Sequence, residues 1–128
     1  MTFPSSNDQL CEDLLDVCIS DLERLADQHK IEDLQSNFFK EIVIPISLYL
    51  DSFPKREEPY LICFTGGQGS GKTTLSYFIQ EVLSNHCHRS SMGFSIDDIY
   101  KSQEERKKLS EEIHPLCYVR GVPGTHDV

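Results

Sequence analysis

Eight residues, Gly66-Gly67-Gln68-Gly69-Ser70-Gly71-Lys72-Thr73, follow the spacing G-x-x-x-x-G-K-S/T. That spacing suits one kind of chemistry, the cradling of a polyphosphate. Glycine takes positive φ at little cost, so a loop rich in it can curl with its amides pointing inward. A helix that starts at the end of such a loop adds free N–H groups and the positive end of its dipole. Lys72 is the residue type that reaches the β- and γ-phosphates of a triphosphate, and Thr73 the type that places a hydroxyl on Mg²⁺. Gly66 to Thr74 are therefore the candidate binders of ATP and Mg²⁺. A plain glycine-rich turn that happens to precede Lys-Thr is the competing interpretation.

A second group of candidates follows an apolar run. Met92 to Ile96 leads directly into Asp97-Asp98-Ile99-Tyr100. Two acids at the end of a buried strand would lie on the edge where open α/β sheets bind ligands. Asp97 there could accept a proton from a substrate hydroxyl or help hold Mg²⁺, with Asp98 beside it. Alternatively both acids cap the next segment. The tail from Tyr118 to Asp127 carries Arg120, Thr125, His126 and Asp127 among glycines and prolines, a composition that fits an anion-facing loop or a plain turn equally well. His86-Cys87-His88 invites a metal reading, but neighbouring side chains diverge in a strand, and a polar loop is the default.

These residues need elements to position them. Tyr60 to Thr65 is a short β-prone run ending at glycine. From Thr74 to Leu83 the spacing of Leu75, Phe78, Ile79, Val82 and Leu83 predicts a helix with one apolar side. Strand, glycine loop and helix together predict an α/β fold with part of a P-loop-type parallel sheet. An N-terminal helical segment, residues 1–58, would pack on it, and residues 59–128 would form the phosphate-binding part. Ser6 to Gln9 fits a capping box opening a helix that continues to about Gln28 through Leu10, Leu14, Cys18, Leu22 and Leu25. Residues 31–53 continue as helix with Leu34, Phe38, Ile42, Ile46, Tyr49 and Phe53 on one face, kinked or restarted at Pro45. A proline-bounded linker covers residues 53–59. Ser102 to Glu105 fits another capping box, with a helix to about Ile113 before Pro115.

Composition narrows the function classes. The chain has 128 residues and a formal net charge of −9. Thirteen acids against five lysines and arginines put −8 on residues 1–58, which leaves −1 on residues 59–128. No basic patch points to nucleic acid. No apolar stretch reaches the length of a membrane span, and no signal-like segment opens the chain. Five cysteines, odd in number and without C-x-x-C spacing, read as reduced thiols in a cytoplasmic protein. Two strand candidates are few for such a sheet, so the chain reads as the N-terminal piece of a longer domain. A truncated form would expose a sheet edge and pair with itself or aggregate.

Taken together, the glycine loop, Ser95-Ile96-Asp97-Asp98-Ile99-Tyr100 and Arg120-Gly121-Val122-Pro123-Gly124-Thr125-His126-Asp127 resemble the D-glycerate 3-kinase family. That family is related to the phosphoribulokinase, uridine kinase and pantothenate kinase group of P-loop kinases. The resemblance spans about Pro45 to Val128, with Ile99 where an aromatic is common and Val122 where leucine is common. It implies an ATP-dependent phosphotransferase with an alcohol acceptor, D-glycerate giving 3-phosphoglycerate. Lys72 and Asp97 would be catalytic, and Thr73 and Asp97 would face the metal. Asp98, Tyr100, Arg120, Thr125, His126 and Asp127 would border the acceptor. The alternatives are a uridine- or pantothenate-like acceptor, or a nucleotide-binding module without transfer activity.

Overall fold

A computed structural model describes residues 8–31, 34 and 37–126. The chain divides into two compact units, Met1–Gly93 and Phe94–Val128. Among the described residues both are helical, and the expected parallel sheet is absent.

In the first unit, α1 spans Asp8–Gln28 and ends where its apolar spacing ends. Cys11, Cys18, Leu22 and Ala26 form its buried stripe. The Ser6 part of the expected capping box lies outside the described residues. Residues 32, 33, 35 and 36 of the expected helix over 31–53 lie outside the described residues, and from Phe38 onward the helix takes a different form. A π-helical turn, Phe39–Val43, leads into α2, Ile44–Asp51. The cause lies at Pro45, which has no N–H to give to the preceding turn. Just ahead of it the ladder widens, and the Ile44 N–H bonds to the Phe39 carbonyl, five residues back. The extra residue advances the register: Val43 and Ile44 are buried, whereas Ile42, expected on the inner face, is 40% exposed.

The next long element is α3, Lys72–Glu81, which runs on into a second π-helical turn, Val82–His86. Phe78, Ile79, Val82 and Leu83 are buried, as their spacing predicts, with Leu75 packed partly against them. Phe78 is the largest fully buried side chain and meets the edges of Phe39 and Phe38 at 5.0 and 6.0 Å between ring centres. Beyond the turn, Arg89 donates from Nε to Asp51 Oδ1 at 2.8 Å and from Nη2 to the carbonyls of Asp51 and Phe53. Those carbonyls lie at the C-terminal end of α2, where a helix leaves acceptors unpaired.

The two runs expected as strands are not strands. Tyr60 is anchored by its hydroxyl to the Pro54 carbonyl, by the Phe53 ring and by the Arg56 guanidinium 3.7 Å above its own ring. From Leu61 to Thr65 no backbone-to-backbone hydrogen bond forms among the described residues, and Leu61 is 82% exposed. A β-prone run becomes a strand only against a neighbour that completes its ladder and covers its side chains. In this unit the apolar surface of α3 is covered by helices instead. Met92, expected to open the second strand, is 90% exposed, and Ile96 already begins a 3₁₀ turn.

The second unit is organised by caps. The 3₁₀ turn Ile96–Ile99 is capped by Ser95. Helix α4, Gln103–Glu112, opens with the expected box: Glu105 N–H donates to Ser102 Oγ, and Ser102 N–H donates to Glu105 Oε2. The same Ser102 bonds hold the Glu105 carboxyl below its ordinary pKa. Arg106 ties the Lys101 carbonyl to that of Tyr118, at the end of a 3₁₀ turn over Pro115–Tyr118. Tyr100 and His126 form an isolated antiparallel bridge, reinforced by Lys101 N–H to the Thr125 carbonyl at 2.8 Å. No helix among the described residues is long and apolar enough to cross a membrane.

Candidate functional site: a lysine-closed glycine loop

The candidate phosphate loop connects the exposed run to α3. Gly69 and Gly71 have φ of 75° and 80°, the left-handed region that glycine allows. Gly71 is the residue before the first helical position, and no side chain caps the helix there. The first bond of the ladder runs from Leu75 N–H to the Gly71 carbonyl, at 2.9 Å. The amides of Lys72, Thr73 and Thr74 therefore precede the first intrahelical donor. Such amides, with the positive end of the helix dipole, favour an anion.

Lys72 closes the loop. Its Nζ donates to the carbonyl oxygens of Gly66 at 2.9 Å and Gly67 at 2.7 Å. One ammonium thereby ties the start of the loop to the start of the helix. It also has two carbonyl dipoles directed at it. Ser70 N–H donates back to Gly67 at 3.3 Å, and a Cβ on Gly66 would stand 2.9 Å from Ser70 Oγ. No heavy atom beyond the chain neighbours lies within 4 Å of a Cβ built on Gly67, Gly69 or Gly71, so the space beside these backbones is open. Gln68, Gly69 and Ser70 form an exposed tip, and Thr73 is exposed while Thr74 is half-buried. Donors, positive charge and open space all suit a polyphosphate, and the Thr73 hydroxyl suits a hard cation beside it.

The second unit assembles the other candidates. Tyr100 and His126 stack at 4.2 Å between ring centres, 30° from parallel. The Arg120 guanidinium lies 5.6 Å from the Tyr100 ring centre, and a Cβ on Gly121 would be 3.9 Å from the Tyr100 hydroxyl. Two motifs twenty residues apart thus meet around one ring. Asp98 is used locally, its Oδ2 accepting the Ser95 N–H at 2.9 Å. Asp97 spends only its backbone N–H on Ser95 Oγ, and its side chain is exposed. Thr125 is fully buried, its hydroxyl donating to the Val122 carbonyl at 2.6 Å. Asp127 lies outside the described residues. Lys72 and Thr73 belong to the first unit, and Asp97 to the second.

Sequence reasoning passed over three residues that hold these sites. Arg89 directly follows His86-Cys87-His88 and carries no sequence signal of its own. Arg106 was one cation among several on a charged helix. Ser95 gave the one usable signal, a serine three residues before an acid. The His86-Cys87-His88 stretch is structural in character: His86 Nε2 lies 3.2 Å from Asp21 Oδ2 on α1, and Cys87 is half-buried. Burial pushes the Cys87 thiol up, with the Asp51 charge adding to it. Neither a protein-family model, nor a curated protein, nor a solved structure matches the chain.

Proposed function

We propose that this chain binds MgATP at Gly66–Thr74 and serves phosphoryl transfer to the hydroxyl of a small acceptor, with D-glycerate the acceptor that the sequence resemblance favours. The observation that carries the reading is the glycine loop closed by Lys72 on an uncapped helix N-terminus. MgATP supplies the phosphoryl group. The loop amides and Lys72 would hold its negative charge as it redistributes, and Thr73 would contribute a hydroxyl to the cation. Asp97 would accept the acceptor's proton on a carboxylate oxygen as the hydroxyl oxygen takes the phosphoryl group. Tyr100, Arg120 and His126 would border the acceptor, the arginine countering a carboxylate.

A second reading, a nucleotide-binding module without transfer, draws on Asp98 and Thr125. Both side chains were candidates for the acceptor site, and both are engaged within their own turns. ADP release from MgATP with and without D-glycerate, for wild type and Lys72→Ala, separates the readings. Glycerate-dependent release that disappears in the variant is expected. Nucleotide binding with no acceptor dependence would select the module, and no binding at all would overturn both.

A further inference from the structure

The outward side of α3 leads from the phosphate loop to an aromatic pair. Leu75, Phe78, Ile79 and Val82 turn into the core. Thr73, Tyr77 and Gln80, four and three residues apart, therefore share the other side of the helix. Thr73 is exposed at its start, and Tyr77, one turn further on, is 40% exposed. His29, exposed just beyond the end of α1, stacks on Tyr77 at 4.6 Å between ring centres and 24° from parallel. A shallow cleft lies beside the pair and is lined also by Gln80, Glu81, Ser84 and Ser91. All of these residues belong to the unit that carries the loop.

We propose that the Tyr77–His29 pair is the platform for the base of the nucleotide whose phosphates bind at Gly66–Thr74; the inference rests on the MgATP reading above. The spacing fits a nucleotide. At the rise of an α-helix, Tyr77 lies about 6 Å beyond Thr73 along the axis. An α-phosphate and a ribose separate the β-phosphate of a nucleotide from its base, and together they cover that span. The way is open, because the core occupies the opposite side of α3 and Thr73 is exposed. The chemistry fits as well. His29 covers part of the Tyr77 ring and holds its plane, and the exposed remainder offers a flat π-surface to a third ring. The Gln80 amide and the hydroxyls of Ser84 and Ser91 give the cleft a polar margin for the edge of a base.

The test is calorimetric titration of wild type, Tyr77→Phe and Tyr77→Ala with MgATP and with magnesium tripolyphosphate, which has the phosphates but no base. Tyr77→Leu replaces the alanine variant if circular dichroism shows that one unfolded. In Tyr77→Ala the affinity for MgATP is expected to fall ~10-fold, the scale of losing one base–aromatic stack, while that for tripolyphosphate is unchanged. Tyr77→Phe keeps the ring and should bind both ligands as wild type does. Equal losses for the two ligands in Tyr77→Ala would show that the pair only pins α1 to α3. That result, or undiminished MgATP affinity in Tyr77→Ala, overturns the platform and leaves the MgATP reading intact. A wild-type chain that binds no MgATP overturns both.

Discussion

The ammonium of Lys72 sits 2.7 Å from the carbonyl oxygen of Gly67, five residues before it in the chain. The side chain thus has two tasks, charge for a phosphate and closure of the loop that receives it. Lys72→Ala removes both. Binding of MgATP is expected to weaken ~100-fold or more, on the scale of losing a preorganised donor. Helical circular dichroism should be unchanged, because the ammonium contacts nothing in the core. Calorimetric titration would check the first outcome, and undiminished affinity would remove Lys72 from the site.

Two glycines of the loop should fail in different ways. Gly71→Ala meets no neighbouring atom, so its cost is the left-handed backbone alone, about 1–2 kcal/mol. It should appear as a lower melting temperature. Gly66 has no such backbone demand, but its new Cβ would press on Ser70 Oγ. Gly66→Ala should therefore leave melting nearly unchanged and reduce nucleotide affinity. Equal melting losses in the two variants would contradict this division.

Asp97 and Asp98 are adjacent yet differently employed. Asp98→Asn weakens the bond to Ser95 N–H and should loosen the 3₁₀ turn. Asp97→Asn should keep MgATP affinity and lose turnover by ~100-fold or more, the range of a general base. Steady-state rates beside binding constants distinguish the two. Unchanged turnover in Asp97→Asn would take it out of the base role.

The thiol of Cys18 is pushed up to about 11, first by burial. A neutral thiol is retained in the fold while the unfolded chain ionises at an ordinary thiol pKa. The stabilising contribution is thus complete below that ordinary value and declines as pH rises from about 9 towards 11. Melting temperatures across this window should fall more steeply for wild type than for Cys18→Ala. Parallel slopes would show that Cys18 does not ionise on unfolding.

Helical parts of the chain were legible in the sequence because their signals are local. The Leu75 to Leu83 spacing and the Ser102–Glu105 box each specify one outcome within a turn or two. That the two runs expected as strands would not pair was not legible, because Tyr60 to Thr65 carries β propensity but no information about what lies beside it. The register of Val43 and Ile44 was hidden for a different reason: α-helical spacing assumes an unbroken i to i−4 ladder, and Pro45 changes the ladder ahead of itself. In the candidate site the glycine loop could be read from residue types alone. The pairing of Tyr100 with His126 was not legible, since no spacing rule links positions so far apart and the resemblance only put both beside the acceptor.

The backbone between Leu61 and Thr65, without main-chain partners, lies in the middle of a unit whose core draws on both sides of it. Its amide protons should exchange with solvent at rates near those of an open peptide, while those of α1 and α3 exchange slowly. Chymotrypsin should cut the native chain at Leu61 or Phe64 before any helix. The two pieces would not separate, because Leu22 and Val43 on one and Phe78 and Val82 on the other share one buried core. The nicked protein should elute intact from a sizing column and part into fragments only in denaturant.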